Sequence, residues 1–169
     1  MKRIAKFEKV SFTQFKNDML NFNFDNQKLK DIYDNIKLPM RATSLSAGYD
    51  FFLPFNIKLK QNESIIIPTG IRVKMDEGWV LNIFPRSGLG FKYQMVLANT
   101  VGIIDGDYYN ANNEGHIMIK IVNRSIEDKT IELEAFKAFA QGVFLEYGIT
   151  IDDDIKSTRI GGFGSTDKN

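Results

Sequence analysis

Four stretches of the chain combine residue types that could act on an anion, a water or a flat ring. Residues 46–50, SAGYD, form a small-residue turn that delivers the carboxylate of Asp50. Residues 85–90, PRSGLG, set an arginine, a hydroxyl and two glycines where an apolar run ends. Such a turn can offer one anion the Arg86 fork, the Ser87 hydroxyl and backbone N–H groups around Gly88. The same four letters PRSG also make an ordinary turn. In residues 99–109, NTVGIIDGDYY, three apolar positions lead into Asp105. A carboxylate at the end of a buried strand is held rigidly and can orient and deprotonate a water. An Asp-Gly hairpin turn explains that spacing equally simply. The fourth stretch is the end of the chain, where Arg159 precedes GGFGSTDKN. Disordered tails are poor in large apolar groups, and ordered termini seldom carry this much glycine. Phe163 suits a flat ring, while Arg159, Gly164, Ser165 and Thr166 suit phosphate oxygens. A nucleotide has both parts, and the tail reads as a segment that orders when one arrives.

Composition narrows the chemistry. The 169 residues suffice for one domain, 1–169, with a substantial core. A formal net charge of +1 gives no bulk attraction to nucleic acid or anionic lipid. No apolar run approaches the roughly 18 residues of a membrane helix. The basic start, MKRIAKFEKV, lacks the apolar stretch of a signal peptide, so a cytoplasmic protein is expected. With no cysteine, disulfides, thiolate metal sites and thiol catalysis are excluded. One histidine, His116, argues against a Ser–His triad or a multi-histidine zinc site, and reads as a surface or ladder residue. What remains is chemistry run on carboxylates, hydroxyls, amides and arginine.

The elements that must position these groups are mostly strands. Residues 64–75, SIIIPTGIRVKM, are β-branched and broken by a Pro-Thr-Gly turn. Further runs occupy 78–84, GWVLNIF, and 138–147, AFAQGVFLEY. In 115–123, GHIMIKIVN, Ile117, Ile119 and Ile121 share one face at period two. Short runs bounded by Gly, Pro and Asn predict an all-β fold, a sandwich or barrel. The beginning differs. In 26–36, NQKLKDIYDNI, Leu29, Ile32, Tyr33 and Ile36 recur at helical spacing, with Asp25 or Asn26 to cap and Pro39 beyond the end. That predicts one short amphipathic helix against the β core, or a docking face for a protein partner.

Taken in order, SAGYD, PRSGLG, GIIDGDYY, an Ala-Gln on the last long run and a terminal GGFGST resemble the five motifs of the trimeric dUTPase family. The resemblance spans about residues 38–166. It implies hydrolysis of dUTP to dUMP and pyrophosphate with Mg²⁺, keeping uracil out of DNA and supplying dUMP for dTTP synthesis. A distorted jelly-roll-like β-barrel or sandwich with short helices is implied as well, assembled as a homotrimer with active sites at subunit interfaces. By this resemblance Asp105 activates the attacking water, and Tyr108 packs under the deoxyribose and excludes a 2′-hydroxyl. Asn99 and the backbone of Gly102, Ile103 and Ile104 read the uracil edge. Arg86, Ser87, Gly88 and Gln141 hold phosphate, and Asp50 meets the metal through water, the triphosphate being its main holder. Arg159, Phe163, Gly164, Ser165 and Thr166 belong to a mobile C-terminal arm, 157–169, that closes over the nucleotide.

Three departures accompany the resemblance. Tyr108 is followed by YNANNEG, a longer and more polar loop than the family's Tyr-x-Gly. Ala138 stands where an arginine is common, with Lys137 beside it, and Asp167 follows Thr166 in place of glycine. Residues 11–37 are an N-terminal insert relative to a minimal member. A dCTP deaminase of similar fold is the nearest alternative, but it needs a glutamate in the central motif. A regulatory protein using the scaffold as a nucleotide-dependent switch is the other.

Overall fold

Short β-branched runs closed by Gly, Pro and Asn pair as antiparallel strands throughout residues 1–155, which the computed structural model describes. The chain opens with β1 (Ala5–Lys9), α1 (Phe12–Asp18) and α2 (Asn26–Asp34). Next come β2 (Met40–Arg41), β3 (Tyr49–Phe52), β4 (Ile57–Leu59), β5 (Ser64–Pro68), β6 (Ile71–Met75) and β7 (Trp79–Pro85). After α3 (Ser87–Tyr93) follow β8 (Met95–Leu97), β9 (Gly102–Ile104), β10 (Met118–Asn123), β11 (Ile131–Leu133) and β12 (Ala138–Glu146). The largest sheet has the order β2-β3-β12-β7-β9, and a smaller one β5-β10-β8. Two ribbons, β1-β6 and β11-β4, complete the framework. Mostly β, split among several sheets with few short helices, the architecture is the expected jelly-roll-like one. No helix among the described residues is long and apolar enough to cross a membrane.

The apolar faces of these sheets meet in one core. Phe51, Leu53, Ile67, Leu81, Ile83 and Phe139 are fully buried, as are Ile117, Ile119 and Ile121 on their shared face. Each such side chain contributes roughly 1.5–3 kcal/mol on leaving water. The Pro-Thr-Gly break does more than turn the chain. It separates β5, which pairs with β10, from β6, which pairs with β1, so the segment passes from one sheet to another.

The N-terminal helices are part of this core. α2 is capped as its sequence predicts: the Asp25 side chain accepts from the Lys28 N–H at 2.7 Å. Its Leu29 and Ile32 are buried, with Ile36 just beyond, and Tyr33 donates its hydroxyl to Val10 O. Where one helix was expected there are two. α1 begins at Ser11, whose side chain accepts from the Gln14 N–H, and it buries Phe15 and, at its C-cap, Met19. Two apolar contacts on one helical turn are too few for a periodic signal. His116 is corrected more sharply. It is neither on the surface nor in a ladder, but completely buried just before β10.

Candidate active site

One group of expected site residues is positioned by strand register. Gln141 on β12 lies opposite Asp50 on β3 and opposite Phe84 on β7, so three neighbouring strands bring two motifs side by side. Arg86 follows the end of β7, and its Nε stands 3.3 Å from Asp50 Oδ1. The Gln141 amide nitrogen donates to Pro85 O at 3.5 Å. Gly48 leaves room for this amide: a Cβ there would stand 2.8 Å from Gln141 Oε1. The PRSG stretch is not a plain turn. Arg86 is the N-cap residue of α3, and Ser87 and Gly88 form its first turn. First-turn N–H groups have no partner within their own helix, which suits them to oxygen acceptors. Arg86, Ser87 and Gly88 line a cleft of about 990 Å³ that Ala138, Lys137, Lys58, Glu132 and Glu134 also border, with Lys58 paired to Glu132.

A second group sits around β9. The turn before it is tight: the Thr100 N–H donates to Leu97 O at 3.0 Å and the Val101 N–H to Asn99 O at 2.7 Å. Thr100 takes a left-handed φ of 67°. β9 then pairs with β7, Gly102 opposite Ile83 and Ile104 opposite Leu81. Ile103 is exposed between them while Ile104 is buried. Asp105 is the N-cap residue of a 3-10 turn, Gly106–Asn110, which carries Tyr108. Tyr108 is only 4% exposed, and its hydroxyl donates to His116 O and accepts from the Asn113 amide, both at 2.8 Å. Its ring is therefore held in place. Asn113 and His116 were not among the expected site residues, and their separation from Tyr108 by a loop left no periodic signal.

The two groups leave opposite ends of one strand. Ile104, which precedes Asp105, is paired with Leu81, five positions before Arg86 on β7. At about 3.3 Å per residue, that separates them by roughly 16 Å along the strand. Arg159, Phe163, Gly164, Ser165 and Thr166 lie outside the described residues. No cluster of three or more His, Asp or Glu side chains that could hold a metal exists among the described residues. Asp50 is a single, mostly buried carboxylate already facing a guanidinium. That donor set fits a hard cation carried by its substrate and touched through water, since magnesium retains several waters.

Comparison with known proteins shows the family. Residues 34–167 match the dUTPase family. The deoxyuridine 5′-triphosphate nucleotidohydrolase of Lactococcus lactis is 39% identical over 134 residues, covering 78% of this chain and 88% of its own. The enzyme of the same name from Paraburkholderia phytofirmans is 37% identical over 150 residues, covering 84% and 97%. Among solved structures, the dUTPase from Streptococcus mutans superposes with a TM-score of 0.63 at 34% identity, over 85% of this chain and 97% of that one. The dUTPase from phage phi11 of S. aureus shares the fold at a TM-score of 0.64 and 20% identity, over 92% and 97%. This chain belongs to the dUTPase family, enzymes that hydrolyse dUTP.

Proposed function

We propose that the protein is a Mg²⁺-dependent dUTP diphosphatase in which Asp105 activates the attacking water. The observation that carries this reading is the pair of groups placed toward the two ends of β7, Asp105 with the fixed Tyr108 after the strand paired to it and an Arg–Asp–Gln cluster at its other end. In the reaction, Asp105 accepts a proton from water while the water oxygen bonds to the α-phosphorus. The bond from that phosphorus to the bridging oxygen breaks, and pyrophosphate leaves. Phosphoryl transfer needs position and charge neutralisation more than covalent help. Arg86, Ser87, Gly88 and Gln141 supply donors to phosphate oxygens. When bound, magnesium neutralises triphosphate charge, and Asp50 would meet it through water. The turn at Asn99 and the backbone of 102–104 read the uracil edge. A base with the reversed donor and acceptor pattern would leave polar groups unpaired, at about 1–3 kcal/mol each.

The roughly 16 Å along β7 also supports a shared site. The Tyr108 end, assigned to the sugar, and the Arg86 end, assigned to phosphate, leave opposite ends of one strand, which favours drawing them from different copies. Two copies placed end to end, as in a homotrimer, bring the two ends together.

The reading is tested by pyrophosphate release from dUTP with Mg²⁺, beside dTTP, dCTP, UTP and a chelator control. Turnover of dUTP alone, lost with chelator, is the expected result. Ammonia release from dCTP would overturn it in favour of a deaminase. Mixing impaired Asp105→Asn with impaired Arg86→Ala subunits should raise activity above that of either alone if each site draws on two copies; no rise after verified subunit exchange would refute the shared site.

A further inference from the structure

Residues 8–18 lie outside the matched family segment, 34–167, yet they hold the loop that follows the catalytic carboxylate. Three contacts tie them to residues about a hundred positions away. The Tyr109 hydroxyl donates to Glu8 Oε2 at 2.7 Å. The Ser11 N–H and hydroxyl donate to the two Glu114 oxygens, both at 2.7 Å. His116 Nδ1 lies 2.5 Å from Asp18 Oδ2, which also accepts from the Gln14 amide.

The histidine contact has a defined direction. The Gly70 N–H points at His116 Nε2 from 2.7 Å, so Nε2 must be the accepting nitrogen. The ring proton therefore sits on Nδ1 and is donated to Asp18. With both nitrogens committed and the ring completely buried, the His116 backbone has little freedom. Its carbonyl is the acceptor for the Tyr108 hydroxyl. Between them, Glu114 and Gly115 take left-handed φ values of 58° and 69°. A Cβ at 115 would stand 2.6 Å from Tyr108 O, so the loop folds directly back on the tyrosine. For a glutamate the left-handed conformation is uncommon, and the double hydrogen bond from Ser11 supports it together with the Glu114 N–H on Ala111 O.

We propose that residues 8–18 are an internal brace that sets the position of Tyr108 for the reaction, with Asp18 as a positioning residue acting through His116. The proposal rests on the reading of Tyr108 as the wall of the sugar pocket. It joins the start of the N-terminal insert, residues 11–18, and the long polar loop after Tyr108 as parts of one device.

Two measurements test it. With a single histidine, the wild-type protein gives one pair of ring ¹⁵N signals, which should show a protonated Nδ1 and an accepting Nε2. The opposite tautomer overturns the brace. In kinetics, Asp18→Ala should lower kcat with little change in KM and reduce the preference for dUTP over UTP by about tenfold. Asp18→Asn keeps an acceptor for the Nδ1–H and should stay within about twofold of wild type. A folded Asp18→Ala protein with unchanged preference refutes the proposal. If that variant does not fold, Ser11→Ala, at the exposed end of the brace, should shift the preference in the same direction, and an unmoved preference there refutes it too. Tyr108→Leu separates the two readings. If its preference is unmoved, the sugar-wall reading fails and the brace with it; if it moves while folded Asp18→Ala does not, the brace alone fails.

Discussion

The two halves of the site are held in different ways. Asp50, Arg86 and Gln141 are fixed by the pairing of β3, β12 and β7, so backbone register aligns them and one ion pair refines the result. Tyr108 and the loop behind it have no such ladder. Their places depend on side-chain hydrogen bonds with Glu8, Ser11 and Asp18, about a hundred residues away. Register within a sheet is shared by many backbone bonds and tolerates the loss of one. A loop held by individual side-chain contacts, these and the Arg72 guanidinium on Tyr109 O among them, does not, so substitutions far from the chemistry should be felt more in the Tyr108 half.

That contrast can be broken at several points, from the strongest effect to the weakest. Asp105→Asn should lower kcat by about 10²–10⁴ while dUTP still binds, because the amide cannot take the water's proton. Steady-state rates beside calorimetric titration with a non-hydrolysable analogue check this, and a near-normal rate would remove Asp105 as the base. Arg86→Ala should cost about 10² in kcat/KM through lost phosphate stabilisation, with the melting temperature almost unchanged because the sheet register persists. A large drop in melting temperature would mean that the Asp50 pair, not register, holds that half together.

Gly115→Ala probes the other half. A left-handed φ and a 2.6 Å approach to Tyr108 O should cost about 1–3 kcal/mol in denaturant unfolding. Ser11→Ala removes a helix cap and one oxygen contact to Glu114, and about 1 kcal/mol is expected. The acid limb of the stability curve gives the finest test. Burial pushes the Asp18 carboxyl up, but hydrogen bonds from His116 and Gln14 outweigh it. Burial acts likewise on Glu114 and is outweighed by the two bonds from Ser11. Both carboxyls therefore lie below their ordinary values. A depressed carboxyl adds stability above its unfolded value, about 4, and loses it as pH falls through the folded one. Glu114→Gln should flatten the decline below about pH 4; an unchanged acid limb would show that this contact contributes nothing.

Much was legible in the chain because it depends on near neighbours. Alternation at Ile117, Ile119 and Ile121 marked the buried face of β10, and Asp25 with the stripe Leu29–Ile32–Ile36 marked α2 and its cap. The short runs between Gly, Pro and Asn indicated the all-β class, and the ordered motifs indicated the family. Each is a local period, a cap or a turn, which a handful of adjacent residues determines by itself. Only the tertiary structure decided that Asp50 faces Gln141, that β5 and β6 part into different sheets, and that the PRSG stretch opens a helix. Only there does the sole histidine become a fully buried link between Asp18 and Gly70. Such pairings join residues dozens to a hundred positions apart. Which polar group finds which partner is set by how the sheets and helices pack around the core, and no local spacing encodes that packing.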